Sequence, residues 1–388
     1  MSLYAGTCQY DRCLLFYCLL FIGTTSVLYV GEVLDRINLT AGFLTLQKTG
    51  KGRCLLTVVQ EKTVSELKSI KFNTSKLVGI ERVEQELLNA LSDSEGTIRE
   101  MCMHILNAGG KRVRPMLVMY SGLIFSRNID NILNAAVAAE LIHMASLVHD
   151  DIIDNSYLRR SKPSVNKMWG SHFAVLCGDY LFAKAFGILS GKRLTKSMDY
   201  MVEAIQNMCH GEILQAESRF NHDIRLEEYY ELISKKTAIF IKCCCESGAC
   251  AGGAGKAHLR AISGYGLNLG LAFQIIDDIL DFCGDVDVMG KPRGEDLKQG
   301  SITMPLIYLM RDGNHRARIK EKLSEEKITD QHMEEIAGIL EKSGVIKKSF
   351  DVARTHIEKA QRYLELLPES PYVDLLNEMA EMLKSRAN

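Results

Sequence analysis

Two stretches 127 residues apart carry the same acidic signature on apolar runs with helical spacing. His143 to Arg160 reads HMASLVHDDIIDNSYLRR and holds Asp150, Asp151 and Asp154; Phe273 to Phe282 reads FQIIDDILDF and holds Asp277, Asp278 and Asp281. On a helix, residues four apart share a face and the adjacent residue points about 100° away. Asp150 therefore stacks with Asp154 and Asp277 with Asp281, while Asp151 and Asp278 broaden each acidic surface. Three carboxylates within two turns of an apolar helix repel one another and lose solvation unless a cation neutralises them. Hard divalent ions suit such oxygen clusters. Mg²⁺ fits best, because it takes a few carboxylates and completes its shell with water and phosphate oxygens.

The rest of the chain supports long helices. Six prolines occur in 388 residues, none between Ser164 and Lys291, and the windows there carry apolar residues at helical spacing. This length holds one large domain plus an extension, or two domains. Lys plus Arg number 47 against 48 for Asp plus Glu, so no global charge argues for nucleic acid and any anion site must be local. The twelve cysteines include Cys243 to Cys245 but no CxxC pair; small buried packing in a reducing compartment is expected of them.

Residues 1–76 read as an extension of unassigned role. Cys13 to Val30 is uncharged but diluted by Gly23, Thr24, Thr25 and Ser26, and it lacks the basic flank of a secretory signal. A membrane anchor, a packed helix and an extension foreign to the domain are the three readings it allows. The run from Gly50 to Val64 looks strand-like with no obvious partner nearby. The helical pattern starts near Leu77, and residues 77–388 are expected to form the main domain. Val83, Leu87, Leu88 and Leu91 open it, and Ser92 or Asp93 is placed to cap a helix running to Asn107. Gly109 and Gly110 end that helix, and Pro115 suits the first turn of the next. Asn166 to Ser190, Arg193 to Arg219, Leu226 to Cys250 and His258 to Phe282 read as further helices. Ser301 to Asn388 reads as short helices packed at the domain's edge.

Between the glycines and Pro115 lies Lys111-Arg112-Val113-Arg114, a basic bend of the kind that can hold a phosphate. A second basic, glycine-rich segment, Gly284 to Gly300, follows the second acidic run and is suited to folding over a bound anion. No Ser-His-Asp arrangement, P-loop, Rossmann glycine pattern or deaminase-type zinc site is present. Two acidic clusters loaded with divalent ions imply a polyphosphate ligand, and the separate cations Lys111, Arg114, Arg159 and Arg160 suggest a second anion not held by metal. Metal-assisted departure of a diphosphate fits these parts better than a protein nucleophile.

These motifs, in this order, resemble the trans-isoprenyl diphosphate synthases, the long-chain polyprenyl type in particular. The likeness rests on LVHDDIID followed by Arg159-Arg160, GGKRVRP at Gly109 to Pro115, the Lys236-Thr237 pair, and FQIIDDILD followed by Gly290-Lys291-Pro292. It implies an all-α fold, the isoprenoid synthase fold, with antiparallel helices around a deep central cavity and a homodimeric assembly. Asp150, Asp151, Asp154, Asp277, Asp278 and Asp281 would hold Mg²⁺, about three ions with substrate bound, on an allylic diphosphate. Arg159, Lys236, Thr237, Gln274 and Lys291 would lie at that diphosphate. Lys111, Arg114, His143 and Arg160 would bind isopentenyl diphosphate. The reaction implied is ionisation to an allylic cation, attack by the isopentenyl double bond and loss of a proton.

Product length follows from side-chain size. Ala145 and Ser146 precede Asp150 by five and four residues and border the path of a chain growing beside that helix. Both are small, and Ala138 and Ala139 extend the opening, so products of about C25 to C50 are expected because a tightly packed wall yields little. Farnesyl or geranylgeranyl diphosphate would serve as primer. Four other readings stand beside this one: a geranylgeranyl diphosphate synthase, a catalytic subunit needing a small regulatory chain, a terpene cyclase and a non-catalytic subunit. The second DDxxD argues against a cyclase, and the intact motifs argue against a non-catalytic subunit. A cytoplasmic location is expected, with membrane association through residues 13–30 or peripheral contact at product release.

Overall fold

The computed structural model describes residues 43–49, 53–59, 79–160, 162–283, 294–311, 313–323 and 329–386. The apolar stretch 13–30 and Lys291 lie outside them. The chain divides into two compact units, Met1–Ser69 and Ile70–Asn388. In the first, strand β1 (Phe43–Thr49) pairs antiparallel with β2 (Arg53–Val59). The strand-like run thus has a partner, supplied by the residues just before it.

The second unit is helical. Its helices are α1 (Ile80–Ser92), α2 (Gly96–Asn107), α3 (Val113–Leu123) and α4 (Ile129–Ile153). After a short hairpin, β3 (Leu158–Arg159) with β4 (Lys162–Pro163), come α5 (Val165–Trp169), α6 (Ser171–Gly191), α7 (Thr195–Ser218) and α8 (Leu226–Ile233). A π-helical segment, Ser234–Ala238, leads into α9 (Ile239–Ala251) and α10 (Lys256–Cys283). Among the described residues six further helices follow: α11 (Glu295–Lys298), α12 (Met304–Arg311), α13 (Gly313–Leu323), α14 (Asp330–Ser343), α15 (Val345–Leu364) and α16 (Pro371–Ser385).

Several boundaries differ from the sequence pattern, each for a local reason. Asp93 ends α1 and ion-pairs with Lys184, so Glu95, not Ser92 or Asp93, is the N-cap of α2. Gly170, at φ 86°, splits the Asn166–Ser190 pattern into α5 and α6. The Leu226–Cys250 pattern contains the π segment.

The middle of helix α4 is buried on nearly every side, with Ala135, Ala136, Ala138, Ala139 and Ala145 among its buried residues. Alanine favours the helix and lets neighbours approach closely. Asn128 caps it by accepting from the Asp130 backbone N–H at 3.2 Å. Helices α3, α6 and α9 pack around it. Helix α10 packs on α9 and along α15, whose Ser349, Ala353, Ile357, Ala360 and Leu364 form one buried stripe. The C-terminal helices are therefore more than an edge, since α15 backs the helix that carries the second acidic motif.

The π segment is held between two glycines. A Cβ at Gly211 on α7 would come within 2.6 Å of the Lys236 backbone N, and one at Gly270 on α10 within 2.6 Å of Ala238 Cα. Only hydrogen at these two positions lets α7 and α10 close on the segment.

Candidate active site

The first acidic motif ends α4, with Asp154 as C-cap. Asp151 is buried and its Oδ1 accepts from Arg159 Nε at 2.8 Å and Nη2 at 2.7 Å. Arg159 belongs to the β3–β4 hairpin, which is anchored from three sides. Asn166 Nδ2 donates to the carbonyls of Asp151 (2.9 Å) and Ser156 (3.1 Å), Ser164 Oγ donates to the Ser156 carbonyl (2.8 Å), and Lys162 Nζ reaches the Asn107 carbonyl (2.7 Å). Asp154 Oδ1 lies 3.4 Å from Arg219 Nη2. Asp150 is half-buried, and its carboxyl is pushed up to about 7 by burial first and by the nearby Glu212 second, against the pull of Lys236 and Arg159. Its anionic form is costly as the protein stands, and a divalent cation would relieve that cost.

On α10, Asp277 is exposed, Asp278 is 3% exposed and Asp281 is 1% exposed. Tyr229 donates to Asp278 Oδ2 at 2.6 Å and Gln274 Nε2 to Oδ1 at 2.8 Å. Gln274 Oε1 accepts in turn from Thr237 Oγ1 at 2.7 Å. Burial holds the Asp278 carboxyl well above its usual range, with Asp296 and Asp277 adding to the effect and the two hydrogen bonds opposing it. Asp281 accepts from the Gly294 N–H at its carbonyl (2.8 Å) and from the Asp296 N–H at Oδ2 (3.3 Å). It therefore ties the helix end to Gly294 and Asp296, in the C-terminal half of the glycine-rich segment.

The π segment joins the two motifs. Lys236 pairs with Glu212 at 2.7 Å, bonds Gln215 and acts electrostatically on Asp150, while the adjacent Thr237 turns to Gln274 on α10. A π turn rotates successive residues less than an α turn does, which helps these neighbours serve opposite walls.

The basic residues form a second group. Arg114 Nη1 lies 3.2 Å from His143 Nε2, and its guanidinium sits 5.2 Å from the Phe240 ring centroid. Arg114 has only N–H donors to offer, so this contact requires His143 Nε2 to accept. Burial, then Arg114, Arg160, Arg159 and Arg112, hold the imidazole well below its ordinary pKa, so it is neutral at pH 7. Arg160, at φ 52° in the hairpin turn, lays its guanidinium against Gly110, where a Cβ would meet Nη1 at 2.7 Å. Lys111 is exposed; desolvation and repulsion from Arg386 lower its pKa, while Asp277 opposes them. Arg112 faces inward instead, pairing with Glu84 and with the buried Glu140, each at 2.7 Å.

Ala145 is fully buried, and Ser146 donates from Oγ to the His143 carbonyl at 3.0 Å, leaving no bulky group at either position. The structure thus gathers Arg114, His143 and Arg160 in one group and links Asp150, Lys236, Thr237, Gln274 and Asp278 through contacts and charge. Sequence reasoning missed Glu212, Gln215, Arg219 and Tyr229. Glu212 and Gln215 share a helix face just after Gly211, a signal that was readable; Tyr229 and Arg219 carry none.

Asp150, Asp154 and Asp277 are hard oxygen donors of the kind that would suit Mg²⁺, which completes its shell with water and phosphate oxygens. A family model described as Polyprenyl synthetase matches residues 95–340. The chain is 35% identical to heptaprenyl diphosphate synthase component 2 of Geobacillus stearothermophilus over 78% of its own length and 94% of that protein's. It resembles the crystal structure of heptaprenyl diphosphate synthase from Staphylococcus aureus, with TM-score 0.74 and 33% identity over 81% of this chain and 99% of that one. It also resembles a polyprenyl synthase from Caulobacter crescentus complexed with calcium and isoprenyl diphosphate, with TM-score 0.75 and 31% identity over 81% and 98%.

Proposed function

The chain belongs to the polyprenyl synthetase family, and from that premise we propose which of its residues carry out prenyl transfer. It has the all-α isoprenoid synthase fold and is a trans-prenyl diphosphate synthase, a divalent-metal-dependent prenyltransferase that makes long-chain products. The observation that carries the assignment of residues is the pair of acidic motifs joined through Lys236 and Thr237, beside a separate Arg114–His143–Arg160 group. One group suits a metal-bound diphosphate and the other a diphosphate held by side chains alone.

In this reading Asp150, Asp154 and Asp277 would hold Mg²⁺, whose chemistry there would be to offset negative charge on the allylic diphosphate. Lys236 and Arg159 add fixed positive charge where the leaving group gains electrons as its carbon–oxygen bond breaks. Lys111, Arg114 and Arg160 hold isopentenyl diphosphate. The neutral His143 steadies Arg114 and adds no competing charge. The isopentenyl double bond then attacks the allylic cation, a carbon–carbon bond forms, and the proton released passes to the departing diphosphate. The small side chains of Ala145 and Ser146 put no bulk on α4 where a long product would run.

A second copy is the partner we assign to α6. That helix is long and apolar enough to cross a membrane, yet only 33% of its apolar window is buried, and Phe173, Val175 and Leu176 stand exposed. A dimer mass in light scattering is expected, and a monomer overturns this part. A cytoplasmic site of action, with membrane association through residues 13–30, completes the proposal; fractionation of cells expressing the full chain or residues 43–388 tests it.

The deciding experiment gives purified protein Mg²⁺, radiolabelled isopentenyl diphosphate and farnesyl or geranylgeranyl diphosphate. Products of about C25 or longer are expected after dephosphorylation. A folded, Mg²⁺-binding protein without turnover overturns a self-sufficient enzyme and favours a second reading, a catalytic subunit needing another chain. The words "component 2" in the Geobacillus relative's name support that reading.

A further inference from the structure

Tyr229 sits at an apolar position of α8 and is 2% exposed, so packing alone would be served as well by phenylalanine. Its hydroxyl nevertheless ends on a carboxylate oxygen. Tyr229 donates to Asp278 Oδ2 at 2.6 Å while Gln274 occupies Oδ1 at 2.8 Å, and Thr237 fixes Gln274 from the far side at 2.7 Å. Three elements, α8, the π segment and α10, thus converge on one buried carboxylate. With both oxygens accepting from neutral donors inside a packed wall, Asp278 has one orientation. Its neighbour Asp277, about 100° round the helix, is exposed.

We propose that Tyr229 is a positioning residue: with Gln274 it holds Asp278 as an internal strut, which sets the rotation of the last turns of α10 and presents Asp277 to the metal-bound diphosphate. This rests on the function proposed above and divides the labour within the second motif, with Asp277 facing the ligand and Asp278 facing the protein. A hydroxyl that orients a metal-site helix affects metal affinity without touching metal or substrate, as partners behind metal ligands do.

The test is calorimetric titration of the full-length protein with inorganic pyrophosphate at stepped Mg²⁺ concentrations. Wild type is compared with Tyr229→Phe, Gln274→Met, Asp277→Asn and the neighbouring control Tyr230→Phe. Tyr229→Phe and Gln274→Met are expected to need about tenfold more Mg²⁺ for half-maximal binding; Tyr230→Phe should match wild type. A merely structural tyrosine would lower the melting temperature and leave the Mg²⁺ requirement unchanged, and that result overturns the proposal. Should Tyr229→Phe fail to fold, Gln274→Met decides by the same criterion. Failure of the underlying reading looks different, because wild type would then show no Mg²⁺-dependent pyrophosphate binding, or Asp277→Asn would bind as wild type does.

Discussion

Arg112→Met should destabilise the protein through a single buried charge. The Arg112 side chain is 1% exposed and bridges Glu84, 43% exposed, and Glu140, 3% exposed. The exposed pair contributes at most about 1 kcal/mol. The buried pair matters more, because losing one partner strands a carboxylate, at about 3–5 kcal/mol. Arg114 and Arg160 lie within electrostatic reach of Glu140 and moderate the loss, which places it near about 3 kcal/mol. In a domain this large that lowers the melting temperature by about 6 °C. Arg112 also adopts φ 50° at the start of α3, a left-handed conformation that persists only while its surroundings enforce it. Without the ion pairs, Lys111 and Arg114 lose their placement, and KM for isopentenyl diphosphate should rise about tenfold with a smaller change in kcat. Circular-dichroism melts and steady-state kinetics measure both effects, and Glu140→Gln added to Arg112→Met should restore most of the stability by removing the stranded charge. A melting temperature within 2 °C of wild type, or a double variant no more stable than the single one, would refute the reasoning.

Three further outcomes are expected. Asp150→Asn and Asp277→Asn should each lower kcat/KM at least about a hundredfold with the far-UV spectrum unchanged; wild-type turnover would remove these carboxylates from the site. Ser146→Phe should shorten the product distribution by crowding the wall beside α4, and chromatography showing unchanged lengths would dismiss the argument from side-chain size. His143, whose folded pKa is depressed, contributes stability that is fully present above the unfolded value of 6.5 and is lost as pH falls below it, because the unfolded chain then binds the extra proton. His143→Gln should flatten the acid side of a stability–pH curve measured by urea unfolding, and an unchanged slope would contradict the burial of a neutral imidazole.

Much of the site was legible because its parts lie close together in sequence. The DDxxD spacing follows from the period of a helix, and the run of residues without proline from Ser164 onward foretold long helices, though not the breaks at Gly170 and at the π segment. Lys236 and Thr237 stood out as a pair, although the π geometry that sends them to different walls did not. The hairpin behind Arg159 was hidden because Asn166, Ser164 and Lys162 act through single hydrogen bonds with no periodicity. Arg112 shows the opposite failure. By composition it was one more cation of a basic bend, yet it faces two glutamates 28 residues away on either side.

By itself, the sequence determined the helical class, the two acidic surfaces and the chemistry they require, since these depend on residue type and on neighbours within a turn or two. Only the tertiary structure decided which carboxylates face outward and which are bonded inward. Asp277 and Asp278 are chemically identical and adjacent, but Tyr229, 49 residues away, reaches only Asp278. Burial and hydrogen-bond partnership depend on which distant surfaces meet, and that is set by the packing of α8, the π segment and α10.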